Sequence, residues 1–266
     1  MVAVKNVMEI FVELDKSNCR LCGEKTCLAF AGAVFKSSRK LEECPRLHPS
    51  VIRKYQDSRY GSNVEERRDE HLEMALEEVL KLDFTETSVR IGGLVRDGIL
   101  YFNVLGKRFG LTKDGRFLTD LHINPWVMAP LLTYLCSCRG KQPSGEWISF
   151  REIPNGQEKY NLFKKRTEDV LKGLGDKYPD FFSDVVQMFD GREVEEQFAS
   201  DVSVVLYPFP LVPLMICYWM PEEGMGSKLN LFFDSTIGEN LGVDAAFSIG
   251  AGLAQMFEKL ANQHAF

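Results

Sequence analysis

The chain has 266 residues, 45% hydrophobic and 26% charged, with a formal net charge of −6. That length buries a sizeable core in one or two domains, and the composition excludes a wholly disordered chain. The negative balance argues against nucleic-acid binding driven by overall charge, and no run reaches the roughly 18 apolar residues of a spanning helix.

The N-terminus, MVAVKNVMEIFVELDK, lacks a long apolar stretch with a small-residue cleavage site, so a cytoplasmic location is expected. A reducing compartment disfavours disulfides, which bears on the next segment. Between Asn18 and Pro45 stand Cys19, Cys22, Cys27 and Cys44, four of the seven cysteines. A disulfide knot, a zinc site and an iron–sulfur cluster are the three readings. Structural zinc sites usually present two close pairs of ligands. Here one Cys-x2-Cys turn is followed by a near third cysteine and a distant fourth, a pattern that suits a cubane whose corner irons are ligated separately. Gly23 allows tight backbone passage after the second cysteine. The run LAFAGAVFKSSRKLEE begins as a helix that would place Cys27 in its first turn, at the positive end of the helix dipole. From Lys16 to Arg46 there are seven basic and three acidic residues, which suits a bound anion or a solvated helix face.

A polar stretch with Gly61, Ser62 and Asn63 divides the chain into a small, mainly helical domain, 1–62, and a larger one, 63–266. In the larger part, Leu72, Ala75, Leu76, Val79 and Leu80 share one helical face. SVRIGGLVRDGILYFNVLGKRFGLTKDGRFL reads as short strands with turns at Arg96-Asp97-Gly98 and Lys113-Asp114-Gly115. Asn124-Pro125 opens a helix, GEWISFREI is a strand and its exit, and EKYNLFKKRTEDVLKGL and PDFFSDVVQMF are helical. DVSVVLYPFPLVPLMICYWM splits into two buried strands around a proline turn, and KLNLFFD adds a third. A helix from Val243 to about Gln263 closes the chain. The expected class is α+β, a mainly antiparallel sheet packed by helices, with a parallel α/β fold as the alternative.

MEIFVELDKSNCRLCGEKTCLAFAGAVFKSSRKLEECPRL resembles the small [4Fe-4S] domain of the corrinoid iron–sulfur protein large subunit, and the module of an Rnf-type electron-transport subunit. The resemblance rests on Asn18-Cys19, Cys22-Gly23, Thr26 to Ala31 and Cys44-Pro45, and covers about 45 residues. It implies that Cys19, Cys22, Cys27 and Cys44 are the metal and cofactor ligands of one [4Fe-4S] cluster, in a protein of anaerobic acetyl-CoA metabolism. No TIM-barrel succession of strand and helix follows, nor a string of ferredoxin-type motifs. Instead SGEWISFREIPNG, YPFPLVPLMICYWMPEE and NLFFDSTIGENL resemble a domain-of-unknown-function family (3786) that comes with no assigned activity.

Elsewhere the chemistry is sparse. Cys136, Cys138 and Cys217 fit buried apolar thiols, with a Cys-x-Cys metal or redox pair as the alternative. The four histidines have no metal-site spacing, although His48 could hydrogen-bond a cluster sulfur. Arg151, Glu152 and Asp234 could line a pocket or tie strand ends. Trp147, Tyr207, Phe209, Tyr218 and Trp219 fit core, or a planar cofactor pocket. No phosphate loop or nucleophile elbow is present, and Gly250 and Gly252 fit close helix packing. The leading expectation is one-electron transfer from the cluster to a redox partner protein or cofactor, with a corrinoid protein as the candidate and a corrinoid in or near the larger domain as a second cofactor. A redox or metal sensor, an adaptor stapled by its cluster, and a cluster-dependent enzyme are the alternatives.

Overall fold

The computed structural model describes residues 4, 6–36, 38–55, 64–120, 125–195 and 197–264, apart from the side chains of 64–70, 125–126 and 263–264. The chain forms two compact units, Met1–Glu73 and Met74–Phe266. The boundary expected between Ser62 and Asn63 lies outside the described residues.

The first unit is helical. Helix α1 (Val7–Phe11) starts at Asn6, whose side-chain oxygen accepts the Met8 and Glu9 amides. Helices α2 (Cys27–Phe35) and α3 (Pro49–Tyr55) follow, with a 3-10 turn at Leu41–Glu43 between them. Ile10, Leu14, Phe30, Ala31, Val34 and Leu41 form the core, and Cys27 and Cys44 are buried within it. A core this small buries little apolar area, so additional ties matter. The division between the units falls inside helix α4 (Val64–Leu80).

The second unit has two antiparallel sheets and helices, the α+β architecture expected. Helix α5 (Phe84–Ile91) precedes a meander of β1 (Leu94–Arg96), β2 (Ile99–Val104), β3 (Lys107–Leu111) and β4 (Phe117–Leu118), paired in sequence order. The β1–β2 turn is at Asp97-Gly98, both left-handed, and Gly115 turns β3 into β4, where the sequence placed them. Ser88–Ile91, read from sequence as strand, is helical instead. Asp83 accepts the Thr85 and Glu86 amides at the start, and Gly92, with φ of 69°, ends the helix.

Helix α6 (Pro125–Ser137) leads to β5 (Trp147–Ser149), then α7 (Tyr160–Arg166), α8 (Glu168–Lys177) and α9 (Phe181–Met188). Strands β6 (Arg192–Glu193), β7 (Val202–Phe209), β8 (Val212–Trp219) and β9 (Lys228–Asp234) complete a five-stranded sheet in the order β5-β9-β8-β7-β6. Pro208 lies where the β7–β8 register shifts, so no ladder hydrogen bond is lost there. The short helix α10 (Ile237–Asn240) and long α11 (Val243–His264) end the described chain. Gly250 lets α11 meet α7: an added Cβ would lie 2.8 Å from the Phe163 ring. Tyr134 is fully buried; its hydroxyl donates to the Ile91 carbonyl (2.7 Å) and accepts the Leu211 amide (3.2 Å), joining α5, α6 and the β7–β8 turn.

The segment EKYNLFKKRTEDVLKGL forms two helices, broken at Thr167. Its hydroxyl is the one buried side-chain oxygen or nitrogen without a hydrogen-bond partner among the described residues. Replacing it removes an unpaid desolvation cost at nearly constant volume. Thr167→Val should therefore raise unfolding stability by about 1 kcal/mol, read by denaturant titration; a loss of similar size would show that the hydroxyl does have a partner. Beside it, Glu168 is 1% exposed and accepts from the Leu231 amide (3.1 Å) and the Tyr160 hydroxyl (2.9 Å). Burial nonetheless pushes its carboxyl above the usual range. A raised folded value means that stability present at acid pH is lost as pH rises through that value. Glu168→Gln should flatten this part of the pH–stability curve, while an unchanged curve would show that Glu168 titrates normally.

Candidate metal centre

The cysteine loop runs from Asp15 to Thr26 and is shaped by left-handed backbone. Lys16, Asn18, Arg20 and Gly23 have φ of 59°, 51°, 64° and 83°. For three side-chain-bearing residues within five positions to adopt this region is costly. Alternation of this kind turns successive amides to one side and makes an anion-binding concavity, as at many phosphate and iron–sulfur sites.

Here the amides meet sulfur. The Asn18 amide donates to Cys27 Sγ at 3.4 Å. Asn18 also grips from its side chain, its oxygen accepting the Cys27 amide at 2.8 Å. Cys27 is the first residue of α2, and the helix is capped by Thr26, which accepts the Ala29 amide at 3.0 Å. Cys27 was expected in that first turn, where the dipole favours negative charge.

All four thiols are free, with Cys27 and Cys44 buried and Cys19 and Cys22 half-buried. The Leu21 amide holds the Cys19 thiol below its ordinary value, against some desolvation and with help from Ser17 and Arg46. Burial pushes Cys44 up; the Arg46 amide opposes this, while the neighbouring Cys22, Asp15 and Cys19 add to it. Asp15 braces the loop, accepting from Ser17 (3.1 and 2.8 Å) and Arg46 (3.2 Å), with Cys27 Sγ at 3.9 Å. Arg39 bridges to Glu43 at 2.7 Å and Glu24 at 3.6 Å. Among the described residues, no three Cys, His, Asp or Glu side chains close around a single metal ion. Four free thiols, with a backbone N–H···S bond at Cys27 and amides that act to lower the Cys19 and Cys44 thiols, suit an iron–sulfur centre, whose sulfurs take such hydrogen bonds.

The other candidates lie elsewhere. His48 does not turn to the thiols: its Nδ1 meets Ser50 Oγ at 2.7 Å and accepts the Ser50 amide at the start of α3. Cys138 and Cys217 are buried, and Cys136 is exposed. Cys138 Sγ faces Asn240 Oδ1 and the Arg90 carbonyl, each at 3.5 Å. Asp234 ties strand ends, accepting from Ser144, Gly145 and Thr236. Glu152 caps its own turn through Ser149, and Arg151 stacks on Tyr160. Phe209 and Tyr218 are core, while Trp147, Tyr207 and Trp219 pack half-buried against Val205, Met215 and Cys217. No described helix is long and apolar enough to cross a membrane. The amide–sulfur contacts were not read from the sequence; only the unusual run of Asn, Arg and Gly around the cysteines hinted at left-handed backbone.

Comparison with known proteins gives two family matches. Residues 83–256, well over half the chain, match "Domain of unknown function (DUF3786)", and residues 14–46 match "Putative Fe-S cluster". Among curated proteins, acetyl-CoA decarbonylase/synthase complex subunit gamma of Methanopyrus kandleri is 36% identical over 56 residues, 21% of this chain and 12% of that protein. The subunit of the same name from Archaeoglobus fulgidus is 29% identical over 108 residues, 39% of this chain and 22% of that protein. The chain thus spans under a quarter of the length of either relative. No solved structure matches.

Asn18→Ala should lower stability by about 1–3 kcal/mol, since it removes the side-chain acceptor of the Cys27 amide and leaves the left-handed backbone without the polar side chain that tolerates it. Hydrogen exchange at the Cys27 amide should speed up in this variant and recover in Asn18→Asp. Equal exchange in all three proteins would contradict the clamp.

Proposed function

The chain belongs to the DUF3786 family, and we propose that ahead of that domain it holds one [4Fe-4S] cluster through Cys19, Cys22, Cys27 and Cys44 and works as a one-electron carrier. The observation that carries this reading is the two-way clamp of Asn18 on Cys27, amide to sulfur and side-chain oxygen to amide, together with the match of residues 14–46 to an iron–sulfur family. When bound, such a cluster supplies one-electron chemistry at a potential set by charge, hydrogen bonds and exposure. The Asn18, Leu21 and Arg46 amides offset negative charge on the thiolates, and the first turn of α2 acts in the same direction. Phe30, Ala31, Val34 and Leu41 exclude water behind Cys27 and Cys44. On the open side Leu21 and Leu28 are 64% and 49% exposed, next to exposed Arg20 and Lys25. An apolar contact with a basic rim suits a partner carrying an acidic rim.

The likeness to the gamma subunits supports placing that partner in acetyl-CoA metabolism, with a corrinoid protein as the acceptor we favour. Burial of two of the thiols inside a small core favours a second reading, in which the cluster chiefly staples the first unit.

Oxygen-free preparation, iron and sulfide analysis and dithionite titration followed by electron paramagnetic resonance test the proposal. About four irons per chain and a reversible one-electron signal are expected. Cys27→Ser should lose that signal while the second unit stays folded. One zinc per chain would overturn the assignment, and reduction only with loss of iron would favour the staple. Mixing the reduced protein with an oxidised corrinoid protein should reoxidise it in a salt-dependent reaction; no reaction at any ionic strength would remove that partner.

A further inference from the structure

Remote in sequence from the cysteine loop, the second unit carries a cavity of about 410 Å³ where its two sheets meet. The join is made by the β2–β3 turn. Leu105 and Gly106 are both left-handed, at φ of 49° and 71°, and the Leu105 amide donates to the Tyr207 and Pro208 carbonyls at 3.1 and 3.2 Å. Gly106 lies against the chain after α9, where an added Cβ would come within 2.3 Å of Asp190 Cβ. These contacts hold one wall of the cavity against the other.

The strand periodicity decides what faces inward. On β2, Leu100, Phe102 and Val104 are buried in the core, so Tyr101 and Asn103 turn to the opposite face. Arg108 stands across from Asn103 in the β2–β3 register and stacks on Tyr101, its guanidinium 4.2 Å from the ring centroid. Arg192 stands across from Val205, two residues from Tyr207 on the same face of the other sheet. Tyr101, Asn103, Arg108, Asp190, Arg192 and Tyr207 all line the cavity.

The charges there do not balance. Two guanidinium groups face one carboxylate, and among the described residues neither Arg108 nor Arg192 makes a salt bridge to Asp190 or to any other acid. Stacking on Tyr101 fixes the Arg108 plane and leaves its N–H edge free, the arrangement in which arginine takes a carboxylate or phosphate through paired hydrogen bonds. The volume lies in the lower part of the roughly 300–1,000 Å³ range of small-molecule sites. We propose that this cavity binds a small-molecule oxyanion, a carboxylate or phosphate compound no larger than a mononucleotide, with Arg108 and Arg192 as the anion-binding residues and the tyrosines against its less polar part. The proposal does not depend on the cluster.

Calorimetric titration of the full-length protein with AMP, inorganic phosphate, succinate and adenosine tests it, with thermal unfolding as a parallel readout. At least one anion should bind and raise the melting temperature, while neutral adenosine should not. AMP and phosphate against succinate separate the two oxyanion chemistries. Both arginines are exposed and outside the core, so Arg108→Gln and Arg192→Gln should fold normally and each weaken binding by about tenfold or more, the loss expected for one charged hydrogen-bonding partner. Binding of no anion at millimolar concentration, equal binding of adenosine and AMP, or unchanged affinity in both variants would overturn the assignment.

Discussion

Backbone amides that have no helix or sheet to join must find other acceptors, and in the first unit they find thiol sulfur. Left-handed Lys16, Asn18 and Arg20 are unfavourable in isolation. The loop keeps them because Asn18 is bonded at both its amide and its side chain to Cys27, and because Asp15 and Arg46 close the far side. The same bends that cost conformational energy deliver the Asn18 N–H to Cys27. Shape and electrostatics at the thiols therefore have one origin.

That origin also explains why so small a unit holds its form. Its core is a small cluster around α2, and two of its buried positions are cysteines. Groups that would be weak core residues as thiols become cross-links when their sulfurs share a centre. Stability and redox character of this unit are thus proposed to rest on the same four side chains.

The second unit is organised by different means. Fully buried Tyr134 and Asn240 reach across elements distant in sequence, and buried Asp234 gathers the β5 approach and the β9 exit. Each polar group is offset by several donors or acceptors, which is what allows it below the surface. Arg108 and Arg192 are exposed instead, and with no acid partner among the described residues they leave positive charge at the rim of a cavity.

Much of this was legible from residue order, where local chemistry and tertiary packing agree. Alternation or helical periodicity located β2, β9 and α11, and continuous apolar runs bounded by prolines located β7 and β8, which are buried on both faces. Asp97-Gly98 and Gly115 marked turns because glycine takes the left-handed backbone there at little cost. The clustered cysteines suggested a metal centre by their spacing, and the match of residues 14–46 to an iron–sulfur family agrees with that reading. Three features escaped: Ser88–Ile91, with β-rich composition, is held helical by Asp83 and Gly92; Thr167 breaks a continuous helical pattern; and Leu105 occupies a turn position that leucine rarely takes. The last is possible only because β7 supplies acceptors for its amide. Residue order by itself therefore determined the α+β class and the four-cysteine motif, since both follow from local periodicity and ligand chemistry. Tertiary structure decided which amides point at sulfur and which arginines share a cavity, because those contacts join segments whose separation in sequence carries no periodic signal.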